Sequence, residues 1–273
     1  MKNDNTMIKL RNTQLEILDE FVKICNKHKL DYFLCGGSML GAIRHKGFIP
    51  WDDDIDVGMT RKDYDKFIQI AIKELNKKYY LDCFENNKNC FLPYAKIRKN
   101  GTIFDEEESH DLNNHKGIFI DIFPFDNAKK ASSLIQTIQG IMVRSITDVM
   151  FCKNNIRKIK DTQHPFISYL LNIFSKNFLM NWQNRIMHWN KNDNTEYLVA
   201  LSGRYNVKKE TSKRNIFVPG RVIIFENRKY NGMNKPDIYL SKIYGDYMKL
   251  PPKDKRVTHM PLKIEFDDEL VKK

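Results

Sequence analysis

The chain is most informative first for what it does not contain. No apolar run approaches the ~20 residues that a membrane-spanning helix needs, so no spanning segment is expected. The first stretch, MKNDNTMIKLRNTQLE, has no apolar core of the signal-peptide kind. The five cysteines (Cys25, Cys35, Cys83, Cys90 and Cys152) are odd in number and contain no CxxC pair. That argues against a disulfide framework or a zinc ribbon and for buried free thiols in a reducing compartment. The expected location is therefore the cytoplasm. No run of Lys and Arg is long enough to read as a nucleic-acid-binding tail, and there is neither an internal repeat nor a flexible linker.

What is present fits one folded domain over 1–273. Hydrophobic residues make up 41% and charged residues 29% of the 273, ordinary globular material. The net charge of +12 points to an anionic partner: nucleic acid, a phosphorylated small molecule or a membrane surface. Thr13 and Glu16 form a capping-box pattern ahead of an amphipathic stripe, Leu15, Leu18, Val22 and Cys25, ending near Lys29. A strand is expected at DYFLC, then a break at Gly36-Gly37 and a short helix capped by Ser38. DIDVGM alternates as a half-buried strand, and Thr60 and Asp63 cap a second amphipathic helix. YYLDCF, FLPYAKIR and GIFIDIFP read as further strands, the last ending at Pro124. This is an α+β pattern, with a core over 13–125 and a mainly helical segment over 131–190. A C-terminal part over 197–273 has short strands, a helix and the motif YGDYMKLPP. The large apolar residues of 131–190 fit a helical layer over the sheet or a surface resting on lipid; such stripes are ordinarily core, which favours the layer.

Four carboxylates, Asp52, Asp53, Asp54 and Asp56, are crowded into five positions beside apolar residues. Asp54 and Asp56 are two apart on an expected strand, so both face one side, roughly 6–7 Å apart. A divalent cation would remove their repulsion, and hard oxygen ligands favour Mg²⁺ or Mn²⁺, in a single or paired site. Asp121, a lone carboxylate in the apolar strand GIFIDIFP, is the candidate third ligand, since it is costly to bury alone. Its rival role is as partner of a buried Lys or Arg. A calcium loop is disfavoured: its sixth and twelfth positions would be Val57 and Asp63, where Gly and Glu are wanted.

Gly36, Gly37 and Ser38, between a strand and a helix, make a plausible phosphate cradle. Arg44, His45, Lys96 and Arg98 are candidates to hold phosphate oxygens. Lys46 reads better as a solvated charge.

With those residues in view, the chain resembles the LicD family of phosphocholine transferases, distant relatives of fukutin-related protein in the nucleotidyltransferase-like superfamily typified by DNA polymerase beta. YFLCGGSMLGAIRHKGFIPWDDDIDVGM, PYAKIRKNGT, KGIFIDIFP and YLSKIYGDYMKLPP with His259 carry the likeness, from about Leu15 to His259. The resemblance implies a nucleotidyltransferase-like mixed sheet with helices, a G-G-S at Gly36–Ser38 and a metal-binding D-x-D at Asp54 and Asp56. It makes Asp121 the third carboxylate and leaves Asp52 and Asp53 as supporting acids. Fukutin-related protein has a zinc-binding cysteine cluster; none is found here, so no zinc is expected.

The implied activity is Mg²⁺-dependent transfer of phosphocholine, or a similar phospho-alcohol, from CDP-choline or a related donor. The acceptor would be a sugar hydroxyl of a cell-surface glycan, possibly lipid-linked, with CMP released. Peripheral contact with the inner face of the membrane would suit such an acceptor; no nucleic-acid partner is expected. A choline head group would call for an aromatic or acidic cage. Trp51, Tyr94, Tyr244 and Tyr247, with Glu226 and Asp246, are candidates; Phe123 reads better as core. The rivals are a true nucleotidyltransferase releasing pyrophosphate and a basic nucleic-acid-binding protein.

Overall fold

The computed structural model describes residues 2–190, 195–256 and 261–267. The first helix, α1 (Lys2–His28), begins well before the expected cap. Thr13 lies inside it, and its hydroxyl donates to the Lys9 carbonyl one turn back (3.0 Å). Glu16 is used elsewhere: it pairs with Lys99 (2.8 Å) and accepts the Tyr79 hydroxyl (3.0 Å). The T-x-x-E spacing was therefore not a helix start. The second such pattern was: the Asp63 amide donates to the Thr60 hydroxyl, which in turn donates to the Asp63 carboxylate at 2.6 Å.

The chain continues through β1 (Phe33–Leu34), α2 (Gly36–Arg44), β2 (Asp56–Thr60) and α3 (Arg61–Glu74). Next come β3 (Tyr79–Asp82), β4 (Ala95–Lys99), β5 (Ile103–Asp105) and β6 (Phe119–Ala128). Three helices follow: α4 (Leu134–Lys153), α5 (Pro165–Leu171) and α6 (Lys176–Met187). The last part holds β7 (Tyr197–Val199), α7 (Val207–Glu210), β8 (Thr211–Lys213), α8 (Arg214–Phe217), β9 (Arg221–Phe225), β10 (Arg228–Gly232), α9 (Pro236–Tyr244) and β11 (Lys263–Glu265).

The main sheet has the order β3-β4-β6-β2-β1-β10-β9, with β7 and β8 added at the far end of β6. It is mixed: β2 runs parallel to β6, and β1 parallel to β10, while the other pairs are antiparallel. The α+β nucleotidyltransferase-like architecture expected from the sequence is the one found. Strand β6 does not stop at Pro124. Its pairing with β4 ends at Ile122, and the Asp121 amide donates towards the β2 side, to the Ile55 carbonyl. The imide of Pro124 faces the side that β4 has already left, so no ladder bond is lost there.

The apolar residues gather into two clusters. The larger joins α1, α3 and the sheet through Leu18, Phe21, Phe33, Val57, Phe67 and Ile120. The smaller lies among α4, α5, α6 and the β6–β7 end, through Val143, Ile146, Val149, Leu179, Ile186 and Val199. The helical segment thus has a core of its own rather than serving only as a layer on the sheet. A polar link ties it to α3, where His188, just past α6, lies beside Asp65 (3.0 Å), and the buried Arg61–Asp126 pair (2.6 Å) in turn fixes α3 to β6. Among the described residues, no helix is long and apolar enough to cross a membrane.

Candidate active site

The acidic run sits where three elements meet. Register places Asp56 of β2 directly beside Asp121 of β6, and Asp121 opposite Lys96 of β4. Asp54 and Ile55 precede β2 in extended chain, held by the bond from the Asp121 amide to the Ile55 carbonyl (2.9 Å). The N-terminus of α2 meets this edge. The Ser38 hydroxyl accepts the Asp56 amide (2.8 Å), and the Gly37 amide donates to the Asp56 carboxylate. Ser38 is therefore not the helix cap; Cys35 occupies that position without a side-chain bond. What Ser38 does is fasten G-G-S to D-x-D.

The glycines are needed for a steric reason. Gly36 has φ +52, and a β-carbon there would lie 2.5 Å from Asp56 Oδ2. A β-carbon on Gly37 would lie 2.6 Å from Asp52 Oδ2. The glycine pair lets two carboxylates close on a helix N-terminus, whose amides favour negative charge.

Further support comes from α1. Arg11 donates to the carbonyls of Ile49 (3.0 Å), Pro50 (3.0 Å) and Asp52 (3.3 Å), and Gln14 to that of Asp53 (2.7 Å). Burial, then Asp53, raise the Asp52 carboxyl and Arg11 draws it down, leaving it at about 6. Burial, then Asp52 and Asp121, push the Asp54 carboxyl up to about 7. Asp56 is raised well above the ordinary carboxylate range by burial, then by Asp54, Asp121 and Asp52. Asp121 is raised by burial and lowered by Lys96, whose ammonium lies 2.9 Å away. Asp121 thus has the contact named as its rival role, a buried cation, and Lys96 is placed on that carboxylate rather than in open space.

Asp52, Asp54 and Asp56 line a cleft of about 1190 Å³, with Gly36, Gly37 and Arg44 beside them. Asp121, Lys96, Ser38, His45 and Asp53 stand off its wall. One convergent carboxylate grouping was not expected. Asp52, Asp53 and Asp54 each bring an oxygen within 4.8 Å of the others; among the described residues, Asp54, Asp56 and Asp121 together do not. The reason is local: consecutive residues in the irregular segment ahead of β2 can converge, whereas strand neighbours are held at ladder spacing.

Other candidates divide cleanly. Trp51, Tyr94, Phe123, Tyr244, Asp246 and Tyr247 all line the cleft. Trp51 already has the Arg256 guanidinium 4.9 Å from its ring centre, and Tyr94 lies against Phe123 at 4.5 Å. Arg44 donates to the Tyr247 carbonyl (2.7 Å) and through Nε to His45 Nε2 (2.9 Å), which makes that nitrogen an acceptor. Two candidates are corrected. Arg98 is almost wholly buried on Asp82 (2.9 Å), away from the cleft, because its face of β4 turns inwards against Phe119. Glu226 stands at the β9–β10 turn, where its carboxylate accepts the Phe48 amide (2.9 Å) and packs against Gly47. His259 lies outside the described residues.

The opposite wall was not anticipated. Arg144, Thr147, Asp148 and Phe151 of α4 line it, joined by Arg157, Arg204, Tyr205 and Glu210. Arg144 donates to the carbonyls of Gly203 (2.6 Å) and Tyr205 (3.2 Å). One signal was available: Arg144 is a lone arginine in the apolar run IMVRSITDVMF.

Comparison with known proteins agrees with this geometry. Residues 29–163 match the family described as LicD/FKTN/FKRP, nucleotidyltransferase domain. The lipopolysaccharide cholinephosphotransferase LicD of Haemophilus influenzae is 30% identical over 251 residues, 90% of this chain and 92% of that protein. Ribitol 5-phosphate transferase FKRP of mouse and of human are each 56% identical over 32 residues, 12% of this chain and 6% of theirs. With a sheet that joins G-G-S to D-x-D and a full-length relative at this identity, the chain belongs to the LicD family of transferases.

Proposed function

We propose that the chain transfers phosphocholine, or a similar phospho-alcohol, from a CDP-activated donor to a sugar hydroxyl of a cell-surface glycan, releasing CMP. The observation that carries this reading is the cleft itself. Carboxylates fastened to the helix N-terminus of G-G-S form one wall, and a basic wall containing Arg144 faces them. The full-length similarity to a lipopolysaccharide cholinephosphotransferase supports the choice of transferred group and acceptor class.

The donor set suits a hard divalent cation. Asp52, Asp53 and Asp54 offer converging oxygens, Asp56 and Asp121 lie beside them, and every one of these ligand atoms is a carboxylate oxygen. A bound Mg²⁺ or Mn²⁺ would supply charge stabilisation to the transferring phosphoryl group. The remaining work falls to the chain. Arg144 and Arg44 bring positive charge to the donor phosphates. The sugar oxygen attacks the phosphorus that bears the alcohol, the bond from that phosphorus to the CMP oxygen breaks, and CMP leaves with the electron pair. The hydroxyl proton passes to a wall carboxylate, Asp54 or Asp56. Asp121, behind them on Lys96, is less well placed than the sequence alone suggested.

The test is product analysis. CDP-choline, Mg²⁺ and a glycan acceptor should give CMP and choline-bearing glycan, and a thermal-shift panel should single out one CDP-alcohol in the presence of metal. Pyrophosphate release from CTP or ATP, with no CMP from any CDP-alcohol, would make the chain a true nucleotidyltransferase instead.

A further inference from the structure

Helix α5 is amphipathic the wrong way round for a globular protein. Phe166, Tyr169 and Leu170 of α5, with Ile173 in the turn just past its end, recur at i, i+3, i+4 and i+7, the spacing of a single helix face. That face is outside: the four are 75%, 69%, 51% and 81% exposed. Ser168 and Leu171 are the buried ones. The apolar surface continues into the start of α6, where Phe178 (48% exposed) stacks on Phe174 at 4.9 Å. Scattered exposed apolar residues need no explanation, but a periodic aromatic and aliphatic face does.

The charges around this face select its occupant. There is no Asp or Glu in the sequence between Asp161 and Asp193. Exposed Lys158 and Lys160 precede α5, and exposed Lys176 opens α6. A two-fold dimer would set this patch against its own copy, bringing Lys158, Lys160 and Lys176 against like charges with Asp161 alone beside them to offset the repulsion. An anionic lipid surface offsets them and also accepts the Phe, Tyr, Leu and Ile side chains at the headgroup level. The patch belongs to the helical unit that forms the basic wall of the cleft. Lys153, at the end of α4, donates to the Asn172 carbonyl beside the patch, and Phe151 of the same turn lines the cleft.

We propose that the α5 face and the start of α6 form a docking surface for an anionic lipid bilayer, which brings the cleft to the membrane interface. Vesicle co-sedimentation of the full chain tests this without donor or acceptor, so the result is independent of the proposed transfer reaction. Vesicles of phosphatidylcholine with phosphatidylglycerol should pellet the chain, and pure phosphatidylcholine vesicles far less. The Phe166→Ser/Ile173→Ser variant should bind the mixed vesicles about tenfold or more weakly while melting at the same temperature. The Lys158→Glu/Lys160→Glu variant should also lose about tenfold. Three results would overturn the proposal. One is no pelleting with mixed vesicles at low ionic strength. Another is equal pelleting of wild type and the Phe166→Ser/Ile173→Ser variant, which would reduce the effect to diffuse charge. The last is a dimer in sedimentation velocity that this same variant disperses, which would give the face to a second copy.

Discussion

The two sides of the cleft are built by different means: carboxylates dominate the sheet side, while the other side sets Arg144, Arg157 and Arg204 among Asp148 and Glu210. On the sheet side, carboxylates are gathered on a strand end and an adjoining turn, and backbone amides steady them: Gly37 on Asp56, with the open end of α2 behind. On the helical side, Arg144 is steadied by backbone carbonyls, those of Gly203 and Tyr205. Neither charge is cancelled by the other. Two carboxylate–cation pairs, Lys96–Asp121 and Arg98–Asp82, stand off the cleft, whereas the Arg157–Asp148 pair lines its helical side. Charge held by dipoles stays available to a ligand, whereas charge held by a counter-charge is already spent on the fold. A nucleotide diphosphate bound with a metal would use both walls at once.

The strongest way to break this comparison is to neutralise the acidic wall. Asp54→Asn and Asp56→Asn should each lower CMP release by about a thousandfold or more. Neither should lower the melting temperature in chelator, because each removes a buried carboxylate that its neighbours repel. An active variant would sink the acidic-wall assignment. On the basic wall, Arg144→Ala should lower kcat/KM for the donor by about tenfold to a hundredfold, with partial recovery in Arg144→Lys. Steady-state kinetics at several donor concentrations would show it.

Arg98 sharpens the contrast from outside the cleft. Arg98→Ala should cost about 3 kcal/mol of stability by stranding Asp82 in the interior. Its donor KM, measured below the melting transition, should be unchanged; a raised KM would return Arg98 to the cleft. The smallest effect is a pH dependence. Asp52 and Asp54 have folded-state pKa values raised to about 6 and about 7. They therefore add stability below the ordinary carboxylate range and lose it as pH rises through those values. In chelator, the melting temperature should fall by at least about 3 °C between about pH 5 and about pH 8, and a divalent cation should remove the fall. A flat profile in chelator would mean that the acidic wall is less crowded than its geometry indicates.

Much of the sheet side was legible because its signals are local. Alternation exposed β2 and β6, and Thr60 and Asp63 marked the start of α3. The acidic run and Asp121 stood out as charges in apolar surroundings, and register does place Asp56 beside Asp121. What could not be read depends on contacts far apart in the chain. Arg11 reaches the acidic turn across 38 to 41 positions, and Arg144 meets Gly203 across 59. Nor does a strand pattern say which face turns inwards: Lys96 and Arg98 read as phosphate ligands, yet both sit over Phe119 in the interior. Thr13 shows the same limit on a small scale. Its spacing to Glu16 is that of a cap, but the helix had already begun.

The glycine pair has a consequence that reaches past its own two positions. Gly36 and Gly37 are a mould: the missing β-carbons outline where the Asp56 and Asp52 oxygens rest. A single methyl at either place leaves the backbone path open yet evicts a carboxylate. The two segments are thus interlocked like a key and its blank, and neither can be redesigned without recutting the other.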